Sequence, residues 1–438
     1  MRVRFRKLIS DLGATFWVLP ALLVLADILL AIGLLALDAS GTLPQALIDS
    51  PWLYGGGGTG ARTLLGAVAS STIGVAGTVF SITIASLSLA AGQMGPRLLR
   101  NFVRDRGNQL TLGAFLGTFS YALMVLRSVR TQAESEFVPH LSMSVGILLA
   151  FVCVGTLVYF VGHTAGRINV DTVIELVAAD ARDAIERLTT EQWAPAAQAH
   201  AFGDAVVAVT DERRGYVQGV DADQLADWAA AHHAVVRLLV RPGDFVFPGA
   251  AIALVEPAVE GCGAAVRSAT ALGGQRVSHE DLEFAVRQLV EVAVRALSPG
   301  INDPHTAMSV IDRLGASLCD LVPRHLPSGQ LARAGKPVLM FPAIDYQGLA
   351  DSMFHMIRQS AASCPAVLIR ILEVLTSVIG YERAPARMAE LRRHADLVLG
   401  DGERAIGTPA DVDDLRERHR RFRAMQLDGP ICMAREAR

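Results

Sequence analysis

The sequence predicts an α-helical membrane domain of four transmembrane helices followed by an α+β cytoplasmic domain with a small β-rich subdomain and a helical C-terminal part. Three observations carry that prediction. Of 438 residues, 51% are hydrophobic and only 19% charged, against about a quarter charged in an average soluble chain. Four apolar runs, each near the length of about 20 residues that crosses a bilayer as a helix, fall within residues 1–165. Beyond them, β-type runs with Pro-Gly turns give way to amphipathic helical periodicity.

Composition also excludes some classes. Mean hydropathy is +0.36 and the formal net charge −3, which argues against disorder and against a nucleic-acid binder steered by net positive charge. The five cysteines form no C-x-x-C pair, so neither a structural zinc site nor a disulfide framework is signalled. Lysine occurs only as Lys7 and Lys336, and Lys336 has no P-loop context. Neither a G-x-S-x-G elbow nor an H-E-x-x-H helix is present. No catalytic residue, cofactor or metal set is expected.

The apolar runs cover residues 16–37, about 64–91, about 110–126 and about 141–161. The third is the shortest and carries Ser120 and Tyr121. The basic start (Arg2, Arg4, Arg6, Lys7) precedes a run too long for a signal-peptide core, and three more follow, so it reads as a retained anchor. Basic residues near span ends mark the cytoplasmic side. They cluster in the N-terminal tail and at Arg97, Arg100, Arg104 and Arg106, whereas residues 38–61 hold none. The expected location is the inner membrane, multi-pass, with both termini cytoplasmic.

The second span carries small residues at Gly66, Ser70, Gly74, Gly77, Ser81, Ala85, Ser88 and Gly92. Their spacing runs 4, 4, 3, 4, 4, 3 and 4 residues, which makes one continuous stripe on a helix. Lipid gives helices no hydrophobic reason to associate, so close approach depends on small residues. The stripe serves either packing inside one subunit or the lining of a pathway between copies. The span is long enough to protrude into the cytoplasm, with Pro96 breaking it. Asp27, mid-way along the first span, is costly in hydrocarbon; it is functional or satisfied by a hydroxyl-rich neighbour. Gly113 and Gly117 of the third span form a GxxxG packing face. The loop Gly55-Gly-Gly-Gly-Thr-Gly60 matches a dinucleotide fingerprint only formally, because no strand precedes it.

Residues 166–200 read as a helical extension of span four and a linker, 201–260 as the β-rich subdomain, and 261–438 as mainly helical. Pro242-Gly243 and Pro248-Gly249 suit type II turns, in a run similar to a half-turn of biotinyl/lipoyl-type barrel-sandwich folds but without their attachment lysine. Ser278 with Asp281 opens a helix in capping-box fashion. Leu282, Ala285, Val286, Leu289, Ala293 and Ala296 form its apolar face, and Glu283, Arg287, Glu291 and Arg295 a charged ladder. A corner at Ser298, Asn302, Asp303 and His305 leads into the next helix, with Asp303 as N-cap and Pro304 at N1. The corner is a self-satisfied turn or a ligand site. His232-His233 lacks a metal-type partner spacing. Residues 346–379, 382–399 and 411–425 read as helices broken at Cys364-Pro365, and the runs Arg392-Arg393-His394 and His419-Arg420-Arg421 as solvated faces.

These residues resemble a bacterial membrane-protein family, domain of unknown function 2254. The resemblance rests on Ala61-Arg-Thr-Leu-Leu, Gly77-Thr-Val-Phe-Ser-Ile, Gly92-Gln-Met-Gly-Pro-Arg-Leu-Leu, Leu112-Gly-Ala-Phe-Leu-Gly-Thr-Phe-Ser-Tyr, Arg287-Gln-Leu-Val-Glu and Ala296-Leu-Ser-Pro-Gly-Ile-Asn-Asp-Pro-His-Thr-Ala. The chain departs from it at Ala91-Gly92, where the family commonly has two serines. The resemblance implies four spans with a cytoplasmic C-terminal region and no particular activity. The expected function is a homo-oligomeric channel or transport protein with the second span lining the pathway. The alternative is a membrane-anchored sensor or scaffold whose cytoplasmic domain binds a partner or small ligand. The expected partners are the lipid bilayer and further copies of the chain, not nucleic acid.

Overall fold

The computed structural model of the chain describes residues 16–40, 53–94, 105–131, 137–167, 169–192, 200–277 and 280–431. The chain divides into two compact units, one ending at Asn169 and the other running from Val170 to Arg438. The first contains α1 (Val18–Ser40), α2 (Gly58–Met94), α3 (Arg106–Ser128) and α4 (His140–Arg167). All four are long and apolar enough to cross a membrane. Gly58, Thr59 and Gly60 of the glycine-rich run form the first turn of α2. The 37 residues of α2 extend about 55 Å at about 1.5 Å per residue, beyond the roughly 30 Å of a hydrocarbon core.

The least apolar span is the central one. α3 packs on α1, α2 and α4, and half of its apolar window is buried against 11–22% for the others. A helix enclosed by neighbours meets little lipid, so Tyr121, Thr118 and Gly113 are tolerated there. Leu22, Leu25 and Leu29 of α1 and Phe151, Val154 and Val158 of α4 face outward, as lipid-facing side chains do.

The second unit opens with α5 (Val170–Leu188). The periodicity predicted one helix continuing span four. Instead α4 ends at Arg167 and a new helix begins at Val170, because the buried face Val173, Ile174, Val177, Ala181 and Ile185 belongs to packing within this unit. Strands β1 (Val207–Asp211), β2 (Gly215–Val220), β3 (Val235–Leu238), β4 (Phe245–Val246), β5 (Ala250–Glu256) and β6 (Thr270–Gly273) follow, interrupted by α6 (Ala222–Ala231) and α7 (Cys262–Ala269). A hairpin, β7 (Gln330–Arg333) and β8 (Lys336–Met340), completes the larger sheet in the order β1-β5-β3-β8-β7, with β3 and β8 parallel. The smaller sheet is β4-β2-β6. Val236, Ile252, Val255 and Leu339 of the larger sheet pack with Leu225 of α6 in one core. The β7–β8 hairpin lies within residues 261–438, which the sequence reads as mainly helical. Alternation between faces over so short a hairpin is too brief to separate from a loop.

Both predicted Pro-Gly turns close with a hydrogen bond from residue four to residue one (Asp244 N to Arg241 O, 3.1 Å; Ala250 N to Phe247 O, 3.0 Å). Gly243 (φ +97°) and Gly249 (φ +79°) supply the positive φ that the turns require. The remaining helices are α8 (Leu282–Ala296), α9 (Pro304–Leu321), α10 (Tyr346–Ser360), α11 (Pro365–Tyr381), α12 (Pro385–Ala405) and α13 (Pro409–Asp428). The expected apolar face of α8 is buried throughout, and α8 and α9 pack as a hairpin covered by α5. Asp281 caps α8 by accepting from Phe284 N at 2.9 Å; Ser278, its expected companion, lies outside the described residues. The charged ladder begins in a partly buried cluster, since Glu283 receives Arg241 (2.8 Å) and Arg287 (3.3 Å).

Candidate functional site

Helix α2 has two unlike sides. Ala61, Leu65, Ala69, Thr72, Ala76 and Val79 are buried, on a helix that packs against α3 and α4. One or two residues further on, on a different side of the helix, lies the small-residue stripe. Ser70, Gly74, Gly77, Ser81, Ala85 and Ser88 are exposed and Gly66 is half-buried. A Cβ added at Gly66, Gly74 or Gly77 would meet nothing within 4 Å. The stripe therefore does not pack in the subunit's own core among the described residues. Gly92, its last member, lies outside the residues whose surroundings are described. Ser81 Oγ donates to Gly77 O at 2.9 Å and Thr78 Oγ1 to Gly74 O at 3.2 Å. The hydroxyl protons are spent inside the helix, and the oxygens remain as outward acceptors.

The other intramembrane features gather on α3. Gly117 meets the carboxylate of Asp27, and Gly113 meets Leu23 and Pro20. The predicted GxxxG face thus seats α1 against α3, and Asp27 lies on this seam instead of against the hydroxyls of α2. At one end of the bundle, Asp38 caps α4 by accepting from Leu141 N (3.1 Å), Ser142 N (2.9 Å) and Ser142 Oγ (2.6 Å). Tyr121 donates to Ser142 O at 2.8 Å. At the other end Asp105 caps α3 through Gly107 N (2.9 Å) and pairs with His163 at 2.7 Å. Arg97, Arg100 and Arg104, which set the expected orientation, lie outside the described residues.

The corner between α8 and α9 closes on itself. Ser298 Oγ donates to Arg295 O (2.6 Å), and Asn302 adopts φ +50° while its N–H reaches Ser298 O (2.9 Å). Asp303 accepts from His305 N, Thr306 N and Thr306 Oγ1 at 3.1, 3.2 and 2.6 Å. The Thr306 hydroxyl leads in holding the Asp303 carboxyl below the usual carboxylate range. His305 is exposed and lines a groove of about 460 Å³ with Met308, Asp312, Ile369 and Arg370.

Sequence reasoning missed one cluster. His394, read as part of a solvated basic face, is fully buried. Its neighbours across from α10 are Asp351 and His355. The available signal was an Asp-x-x-x-His pair one turn apart. His232 is instead a local feature, stacked on Trp228 with ring centroids 4.6 Å apart.

A model of the family described as "Predicted membrane protein (DUF2254)" matches residues 13–377. The uncharacterised protein MT1328 of Mycobacterium tuberculosis strain CDC 1551 is 31% identical over 423 residues, covering 93% of this chain and 80% of its own. The uncharacterised protein Mb1321c of Mycobacterium bovis matches with the same identity and coverage. No solved structure matches the chain.

Proposed function

The chain belongs to the DUF2254 family of predicted membrane proteins, and from that premise we propose that copies of it assemble into a channel or transport protein whose pathway is lined by α2. One observation carries the reading: the small-residue stripe lies open along one side of the subunit. Small and hydroxyl side chains gain little from lipid contact, whereas they let helix backbones approach closely. A second copy of the same helix is the partner that fits such a surface, and back-bonded hydroxyls give a polar lining without unpaired donors. In this reading the protein sits in the inner membrane with both termini and the second unit cytoplasmic, following the basic residues of the tail and the 97–106 segment.

The test is conductance in reconstituted bilayers. Ser81→Trp is expected to abolish the current while leaving assembly intact, because residue 81 is exposed and its replacement fills the pathway. The second reading, a membrane-anchored sensor or scaffold, is favoured by the His305 groove beside α9. The same experiment divides the two. A parent protein that carries no current removes the pathway and leaves the sensor reading.

A further inference from the structure

Asp351 and His355 stand one turn apart on α10, and His394 faces them from α12. His355 Nε2 lies 2.9 Å, and His394 Nε2 3.1 Å, from the same atom, Asp351 Oδ1. The three ligand-type atoms lie within 4.8 Å of one another. In a tetrahedral zinc site with bonds of about 2.0–2.1 Å, neighbouring ligand atoms stand about 3.3 Å apart. We propose that Asp351, His355 and His394 bind a divalent transition-metal ion of the zinc class through Asp351 Oδ1 and the two Nε2 atoms.

The surroundings support such a ligand set. His394 is fully buried, which fixes its ring with Nε2 toward Asp351 Oδ1. Asp351 and His355 are 28% and 32% exposed, enough for an ion to enter and keep a solvent ligand.

A cation from the protein already stands at this point. The Arg393 guanidinium touches Asp351 Oδ1 and lies 3.3 Å from His394 Nε2, while its Nε is held by Glu390 at 2.7 Å. Metal entry requires Arg393 to withdraw toward Glu390, so Arg393 is a tethered competitor. Arg358 donates to His355 Nδ1 at 3.3 Å and is itself paired with Asp401. Metal binding at Nε2 moves the His355 proton to Nδ1 and releases that contact. His394 lies beyond the residues that the family model matches, and the site stands independently of the proposed pathway.

The experiment uses the full chain without a histidine tag, stripped with a chelator and titrated with Co²⁺ and Zn²⁺. Visible d–d absorption reports Co²⁺ ligation, and Zn²⁺ competes it away. One metal per chain is expected. Asp351→Asn, His394→Ala and His355→Ala weaken binding by about tenfold or more, and Arg393→Met tightens it by about tenfold, in the range by which residues around a metal shift affinity. His355→Ala changes a partly exposed side chain and keeps the test valid if the buried variants fail to fold. A purely structural ion network predicts no metal in any variant. Absence of d–d bands from both the parent and Arg393→Met, or bands unchanged by His355→Ala, would overturn the assignment.

Discussion

The backbone of Gly117 in α3 lies directly against the carboxylate of Asp27 in α1, so a Cβ at residue 117 would overlap Asp27 Oδ2. One turn earlier, a Cβ at Gly113 would come within 3.2 Å of Pro20 Cα. Gly117→Ala and Gly113→Ala are expected to destabilise the four-helix unit by about 1–3 kcal/mol, the usual cost of overpacking. Gly74→Ala and Gly77→Ala, which meet nothing in the subunit, are expected to keep monomer stability or raise it by up to about 1 kcal/mol, Ala being the better helix former. Thermal unfolding in detergent separates the two pairs.

Asp38 ties the end of α1 to the start of α4 across 103 residues of sequence. It pairs two of the backbone N–H groups that a helix leaves without partners. Asp38→Ala should cost about 0.5–2 kcal/mol, and Asp38→Asn less, because the amide oxygen still accepts. Chemical unfolding curves for the two variants check the order.

Arg387 gathers the carbonyls at the end of α9, donating to Leu321 O (2.9 Å) and Arg324 O (2.6 Å), with its guanidinium 5.2 Å from the Tyr346 ring centroid. A lysine cannot reproduce this planar fork. Arg387→Lys is expected to lose about 1–2 kcal/mol, on the scale of hydrogen bonds to a charged group, read as a lower unfolding midpoint.

Asp303 gives a pH dependence of defined sign. Its folded pKa is lowered, chiefly by the Thr306 hydroxyl, so its contribution is present above the unfolded value of about 3.9 and is lost as pH falls through the folded one. Asp303→Asn retains a capping oxygen and removes the titration. Unfolding midpoints from pH 6 down to pH 2 should fall less steeply for Asp303→Asn than for the parent.

Much of this architecture is written locally. The four apolar runs, the Pro-Gly turns, the Asp303 cap and the buried face of α8 each depend on neighbours within a few residues, and their patterns point to the elements the structure contains. What depends on distant partners was hidden. Nothing in the spacing of Gly66 to Ser88 tells whether the stripe faces the subunit's interior, because small residues serve both uses. The polar content of α3 looked like a weak span and reflects its central place. His394 sits among arginines in a run that reads as solvated, and its burial comes from packing of α12 on helices distant in sequence.

The central claim is that the open side of α2 meets the same side of other copies. The measurement is cross-linking in bilayers of chains whose five native cysteines are replaced and which carry Ser81→Cys, beside a control with Val154→Cys on the outward side of α4. The account predicts covalent oligomers for Ser81→Cys and none for Val154→Cys. Monomers in both cases, with both positions modified equally by a lipid-soluble thiol reagent, would contradict it.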